Sequence, residues 1–221
     1  VDDYIVVNPF IRNASSDLTI NVHAKGKGTM TCPKTPEYES YFGYSNDNGN
    51  RINFHLGILT PQSGHQWYVG EDLSTDYQFY TITLDDLGNG STLAELFLNG
   101  VSLGQHTYPY SIPSYSFMEI GRNIVEGNGL YDGVISEIHM WDGLLTEQEI
   151  QYYITTSPTG NEEGLVGYWN FNEGTGTTLT DQTANDNDGT IYGATWSTDV
   201  PTFFQPQTKA ELQTAVDLWV S

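Results

Sequence analysis

The stretch "DQTANDNDGT", Asp181 to Thr190, sets oxygen-bearing side chains in a row from Asn185 to Asp188 and ends them at a glycine. Hard oxygen donors of this kind suit Ca2+, which takes roughly six to eight of them from carboxylates, carbonyls and water. The helix-loop-helix calcium template does not fit. With Gly189 as the loop glycine, Ala184 falls at the first ligand position and Thr195 where the closing Glu belongs. Two readings stay open. One is an irregular β-loop calcium site built from Asp181, Asn185, Asn187 and Asp188. The other is a polar turn, because Asn, Asp and Gly tolerate left-handed conformations and bond their own backbone. The loop "SNDNGN" (45–50) carries the same two readings.

Glycoside hydrolysis would need carboxylates that share one face, one to attack and one to protonate. The nearest candidate is "EIHMWD" (137–142), where strand alternation puts Glu137, His139 and Trp141 together and Asp142 on the other face or in the turn. The partner acids are missing, so no catalytic residue is assigned, and Glu137 reads as a structural acid. A serine nucleophile has no strand, Gly-x-Ser-x-Gly, helix context to sit in.

Sugar binding asks for aromatic faces and planar polar groups. Two stretches supply them. "GHQWYVGED" (64–72) offers Trp67, Tyr68, Glu71 and Asp72, and "QHTYPYSIPSY" (105–115) offers His106, Tyr108, Tyr110 and Tyr115. Against each aromatic stands the alternative that it packs between sheets.

The charge balance limits partners. The 221 residues hold 28 Asp and Glu against 7 Lys and Arg, a net charge of −21. Such a chain repels nucleic-acid phosphates and anionic membranes, so neither nucleic acid nor membrane insertion is expected. No run of about 18 apolar residues exists to span a bilayer. The single cysteine, Cys32, has no internal disulfide partner and reads as a small apolar residue. The low charged fraction and the abundance of Tyr and Gly suit an extracellular β-sandwich. Nothing at the N-terminus reads as a leader, so the chain is expected to be a piece of a longer protein.

Short alternating runs must position these groups. "DYIVV" (3–7), "LTINVHAKG" (18–26), "RINFHLGIL" (51–59), "YQFYTITLD" (77–85), "LAELFLNGVSLG" (93–104), "SFMEIGR" (116–122) and "GVISEIHMW" (133–141) read as strands. In the second, Leu18, Ile20, Val22 and Ala24 share one face. Asn99-Gly100 between apolar runs signals a hairpin. Thr146 to Glu149 is a capping box that opens a short helix near 146–154, and Thr208 to Glu211 is another. "TSPTGNEEG" (156–164) and "STDVPTFFQPQ" (197–207) read as linkers. The pattern predicts an all-β, antiparallel two-sheet sandwich.

"YDGVISEIHMWDGLLTEQEI" (131–150) resembles the closing strand and short helix of laminin-G-like and pentraxin-like domains, members of the concanavalin A-like group. The matching parts are Gly133, Trp141, Asp142-Gly143 and Leu145 to Ile150. "YTITLDD…LAELFLNGVSLG" is similar to the family's hairpin, and "VDDYIVV…LTINVHAKG" to its opening strands. The resemblance covers about residues 1–200. It implies a jelly-roll fold and a non-catalytic binding or adhesion module on a cell or virion surface, with a glycoside hydrolase or polysaccharide lyase of the same fold, or a structural spacer, as the alternatives. Its expected partner is a glycan or cell-surface polysaccharide, with calcium assisting. "GLVGYWNFNEGTGTTLTDQTANDNDGTIYGATWSTDVP" (164–201) normally precedes the first strand in that family. Here it follows the helix, so the expectation is that 164–200 completes the sandwich in permuted order. The alternative is that it begins a second copy. The tail, 203–219, resembles the start of BspA-like surface repeats, which implies that 201–221 lead to a neighbouring module.

Overall fold

The computed structural model describes residues 3–10, 16–35, 40–46, 49–56, 64–123 and 130–201. In chain order the strands are Tyr4–Val7 (β1), Leu18–Lys34 (β2), Tyr41–Ser45 (β3), Arg51–His55 (β4), Gly64–Tyr68 (β5), Gln78–Asp86 (β6), Thr92–Leu98 (β7), Val101–Tyr108 (β8), Phe117–Ile120 (β9) and Asp132–Asp142 (β10). The helix Glu147–Tyr153 (α1) and the strands Leu165–Trp169 (β11), Thr178–Leu179 (β12) and Gly189–Tyr192 (β13) follow. The strands pair antiparallel in two sheets. The front sheet runs β12-β13-β1-β9-β2-β3-β4-β5, and the back sheet runs β11-β10-β2-β6-β7-β8. This is the antiparallel two-sheet sandwich that the alternating runs predict, in the concanavalin A-like jelly-roll form that the resemblance implies.

β2 belongs to both sheets. Its first part, Leu18 to Ala24, pairs with β6, and Leu18 to Lys27 pair with β10. Its last part, from Gly28 on, pairs with β3 and β9 in the front sheet. The chain crosses at Gly26-Lys27-Gly28, where Gly26 has φ +133° and Gly28 φ +113°. A Cβ on Gly28 would sit 2.0 Å from the Leu130 carbonyl oxygen, so only glycine fits.

Leu18, Ile20, Val22 and Ala24 face the core as their alternation predicts, and each is fully buried. They meet Phe42, Tyr44, Ile52 and Phe54 of β3 and β4 from the opposite sheet in one apolar cluster. Burying a side chain of this size stabilises the fold by about 1.5–3 kcal/mol. The opposite face of β2 is buried as well: Thr19 and Asn21 are fully buried and His23 nearly so. Those positions lie under other parts of the back sheet's outer layer. There α1 lays Ile150 and Ile154 on Phe79 and Phe97, and Tyr153 packs with Trp141 and Tyr168. The capping box forms as read: Thr146 Oγ1 accepts from the Glu149 N–H, and the Glu149 carboxylate accepts from the Thr146 N–H. Asn99-Gly100 makes the predicted tight turn, with φ of 51° and 77°.

The strands after the helix join both sheets. β11 pairs with β10 at the edge of the back sheet, and β13 pairs with β1 in the front sheet. Trp169 is fully buried in the main core. Simple alternation, which puts Val166 with Tyr168, does not survive here. A register shift between Met140 and Trp141 leaves Val166 against the main core, while Leu165 and Tyr168 pack outside with Trp141. The helix read at 208–220 and the tail compared with BspA-like repeats lie outside the described residues. No helix among the described residues is long and apolar enough to cross a membrane.

Candidate functional site

The outer face of the front sheet collects the polar half of three strands. β3 turns Phe42 and Tyr44 inward, which leaves Tyr41, Gly43 and Ser45 outward. β4 buries Ile52 and Phe54 and turns Arg51, Asn53 and His55 the other way, with His55 covered. β5 buries Trp67 and presents Gly64, Gln66 and Tyr68. Cross-strand register aligns them in rows: Ser45, Arg51 and Tyr68; Gly43, Asn53 and Gln66; Tyr41, His55 and Gly64. Tyr41 and His55 stack with ring centroids 5.1 Å apart. The Tyr68 hydroxyl donates to Gln66 Oε1 at 3.2 Å, and its ring is 64% exposed. Gly43 is required because a Cβ there would lie 2.4 Å from the Gly28 carbonyl oxygen.

From these rows Tyr41, Gly43, Ser45, Arg51, Asn53 and Gln66 form one wall of a groove of about 400 Å³. Lys27, Thr29, Asn123, Leu130 and Asp132 form the other. The lining is a planar guanidinium, three carboxamides, a lysine, a carboxylate and a tyrosine ring. Arg51 Nε is buried and has no hydrogen-bond partner among the described residues. Farther along the same sheet Tyr192 stacks on Tyr4 at 4.9 Å, and the Arg122 guanidinium lies 3.3 Å from the Tyr4 ring centroid. Arg122 Nη2 donates to Glu119 Oε1 at 2.5 Å, and Lys34 Nζ donates to Glu119 Oε2 at 2.6 Å. Glu119 is thus a buried carboxylate held by two cations.

The residues singled out from sequence scatter. Residues 64–68, which lie outside the runs read as strands, form the edge strand β5, and 105–108 end β8. Trp67 therefore points inward, with Nε1 donating to the Gly104 carbonyl at 3.2 Å. Tyr108 is buried, with its hydroxyl donating to the Phe54 carbonyl at 2.8 Å, and Tyr115 is buried, donating to Ser40 Oγ at 2.8 Å. These three rings have no free face for a sugar, because strand alternation turns them into the core. His106 stacks on His65 at 4.0 Å, which closes the side of the sandwich where β5 meets β8. Burial lowers the pKa of both imidazoles, and for His65 the His106 charge adds to it. Tyr110 packs partly buried against the core. Glu71 and Asp72 are exposed. Asp72 accepts from the Ser74 hydroxyl and N–H, Asn46 and the Tyr44 hydroxyl, and these bonds hold its pKa down at about 2. Only Tyr68 of the set stands on the grooved face beside Arg51. Arg51, Asn53, Gln66 and Tyr41 were missed, although the alternation in "YFGYS" and "RINFH" contains the signal.

The loop proposed as a calcium site is occupied by its own hydrogen bonds. Asp181 Oδ1 accepts from the Tyr168 and Thr183 N–H groups at 3.0 Å each, and Oδ2 from Thr183 Oγ1 at 2.9 Å and the Asn187 N–H at 3.0 Å. Asn185 and Asn187 turn their amide nitrogens to the Val166 carbonyl at 3.2 and 2.9 Å. Asp188 Oδ1 accepts from the Asp181 N–H at 2.8 Å. The Asp181 oxygens are engaged by these N–H and O–H donors, so the loop forms a hydrogen-bonded clamp in which a cation would compete with them. No group of three or more His, Cys, Asp or Glu is placed to hold a metal among the described residues.

Glu137 and His139 share a face, as expected, but under cover. His139 Nε2 meets Glu137 Oε1 at 2.5 Å, and Ser157 Oγ donates to Glu137 Oε2 at 2.9 Å. Burial works to raise the Glu137 pKa, yet the hydrogen bond and charge of His139, with Ser157 and His23, leave it lowered. His139 is 1% exposed, and the partly exposed Glu137 is held by His139 and Ser157.

A family model described as the concanavalin A-like lectin/glucanases superfamily matches residues 7–151. No curated protein matches the chain. Among solved structures, a candidate carbohydrate-binding protein from Bacteroides ovatus aligns over 87% of this chain at 16% identity, TM-score 0.63. The chain spans 57% of that structure's length. Domain 4 of an extracellular arabinanase from Geobacillus stearothermophilus, solved with arabinotriose, aligns over 64% of this chain and 67% of its own at 14% identity, TM-score 0.47. The receptor-binding domain of botulinum neurotoxin type G aligns over 67% and 41% at 14% identity, TM-score 0.44.

Proposed function

Since the chain belongs to the concanavalin A-like lectin/glucanases superfamily, we propose that it is a non-catalytic glycan-binding module whose site is the groove over β3, β4 and β5. The observation that carries this reading is the grooved face itself. It offers Arg51, Asn53 and Gln66 as planar hydrogen-bonding groups, with the exposed Tyr68 ring next to Arg51 in cross-strand register. Planar polar groups match vicinal hydroxyls, and an aromatic face matches the C–H face of a sugar ring. The carbohydrate-binding assignment of the Bacteroides ovatus protein, which shares the fold, points the same way.

The groove's carboxylate content supports the non-catalytic part of this reading. Paired carboxylates for glycoside cleavage stand roughly 5–10 Å apart across the scissile bond. Asp132 is the one carboxylate lining the groove among the described residues. Glu137, the other candidate acid, is bound up on the opposite sheet with His139 and Ser157.

The reading treats residues 1–200 as one module, because β1 and β13 share a sheet although they come from opposite ends of that span. It places the module outside the cell, on a cell or virion surface, with other modules beside it. A glycan array with the wild-type chain and with Asn53→Ala and Tyr68→Ala variants tests it. Wild-type signal that either substitution abolishes is the expected result, with melting temperatures unchanged. Absence of any wild-type signal overturns the reading, and release of reducing ends from a bound glycan overturns the non-catalytic part.

A further inference from the structure

The cations of this chain are scarce, and their arrangement is uneven. Five of the seven Lys and Arg, namely Lys25, Lys27, Lys34, Arg51 and Arg122, lie among the described residues. Lys34 and Arg122 are both committed to Glu119, and Lys25 pairs with Asp199. Lys27 and Arg51 have no carboxylate partner among the described residues, and both line the same groove. Asp132 faces Lys27 in cross-strand register without forming an ion pair with it. Arg51 adds a buried Nε donor that nothing among the described residues satisfies. A buried donor left unpaired is unfavourable. In a chain with net charge −21, two unpaired cations converging on one groove mark where an anion fits.

We propose that the glycan bound in this groove is anionic, with a carboxylate or sulfate group held by Arg51 and Lys27; this rests on the glycan-binding reading above. A guanidinium presents its two Nη donors as a fork that matches two oxygens of one acid group, and Lys27 adds a point charge. Asn53, Gln66 and Asp132 remain for the sugar hydroxyls. The net charge does not forbid this. At 0.15 M salt, charges farther than about 8 Å apart are largely screened, so the near cations dominate at contact.

The test is calorimetric titration at 150 mM NaCl with three probes. They are oligogalacturonate, its fully methyl-esterified form, and heparin oligosaccharide. Either acidic probe should bind at least about tenfold more tightly than the ester, and the arm that binds identifies carboxylate or sulfate as the group read. Arg51→Gln should weaken the acidic ligand about tenfold and leave the ester unchanged, and Lys27→Gln should do the same to a smaller extent. Equal binding of acid and ester overturns the anionic preference while leaving glycan binding intact. Equal loss of both ligands in Arg51→Gln has the same meaning. No binding of any probe, with no signal on the array, overturns both readings.

Discussion

Gly26 on β2 and Gly133 on β10 face each other where β2 leaves the back sheet for the front one, and a Cβ on either would fall 2.6 Å from the Cα of the other. This backbone contact holds β10 against β2 at the last pairs they make before β2 crosses to the front sheet. Gly26 also has φ +133°, and its Cβ would meet the Asp132 carbonyl oxygen at 2.3 Å. Gly26→Ala is therefore expected to destabilise the fold by roughly 2–4 kcal/mol, a melting-temperature loss on the order of 10 °C. A variant melting within 2 °C or so of wild type would show that the crossing tolerates a side chain.

Glu119 anchors a second constraint. Its side chain is 4% exposed and holds Lys34, 7% exposed, together with Arg122. Removing one member leaves uncompensated charge, so Glu119→Ala should cost about 3–5 kcal/mol by denaturant unfolding. Lys34→Met combined with Glu119→Leu should recover part of that loss. If the double variant is no more stable than Glu119→Ala, the pair is not what Glu119 supports.

Asp181 ties β11 to the loop before β13 with four accepted hydrogen bonds. Asp181→Ala is expected to lose about 3 kcal/mol or more, because several buried N–H groups lose their acceptor together. Millimolar EDTA or added Ca2+ should leave the wild-type melting temperature unchanged, since a ligand bound only by the folded state would shift it. A chelator-induced drop would return the loop to the calcium reading.

His23 makes stability depend on pH. Burial, offset in part by the Glu137 charge and aided by His139, lowers its pKa to about 4. The unfolded chain takes up this proton near pH 6.5 and the folded chain only near pH 4. The associated stability is thus fully present above about pH 6.5 and is lost as pH falls toward 4, on the order of 3 kcal/mol over the window. His65 and His106, also lowered, act in the same direction. His23→Phe should flatten the fall between pH 6.5 and 4, read from urea midpoints. An unchanged slope would assign it to the other histidines.

Local chemistry was legible wherever a few neighbouring residues decide the outcome. The inward run Leu18, Ile20, Val22, Ala24, the Asn99-Gly100 turn and the Thr146–Glu149 box all form as their spacing predicts. Burial of rings was not legible. Tyr108 and Tyr115 are buried while Tyr68 is exposed, though all three are tyrosines in aromatic-rich stretches. The difference is which sheet face each meets, and that depends on a partner strand far along the chain.

By itself the sequence determined the period-two strands, the turns and the cap, because each depends on contacts within a few residues. It determined as well the large excess of carboxylates that makes two unpaired cations notable. Tertiary structure alone decided that β2 serves both sheets, that β11 and β13 join sheets formed by earlier strands, and that Lys27 and Arg51 line one groove. Those residues are brought together by β-pairing register across long stretches of chain, and register is fixed by how the two apolar faces pack and not by the local order of residues.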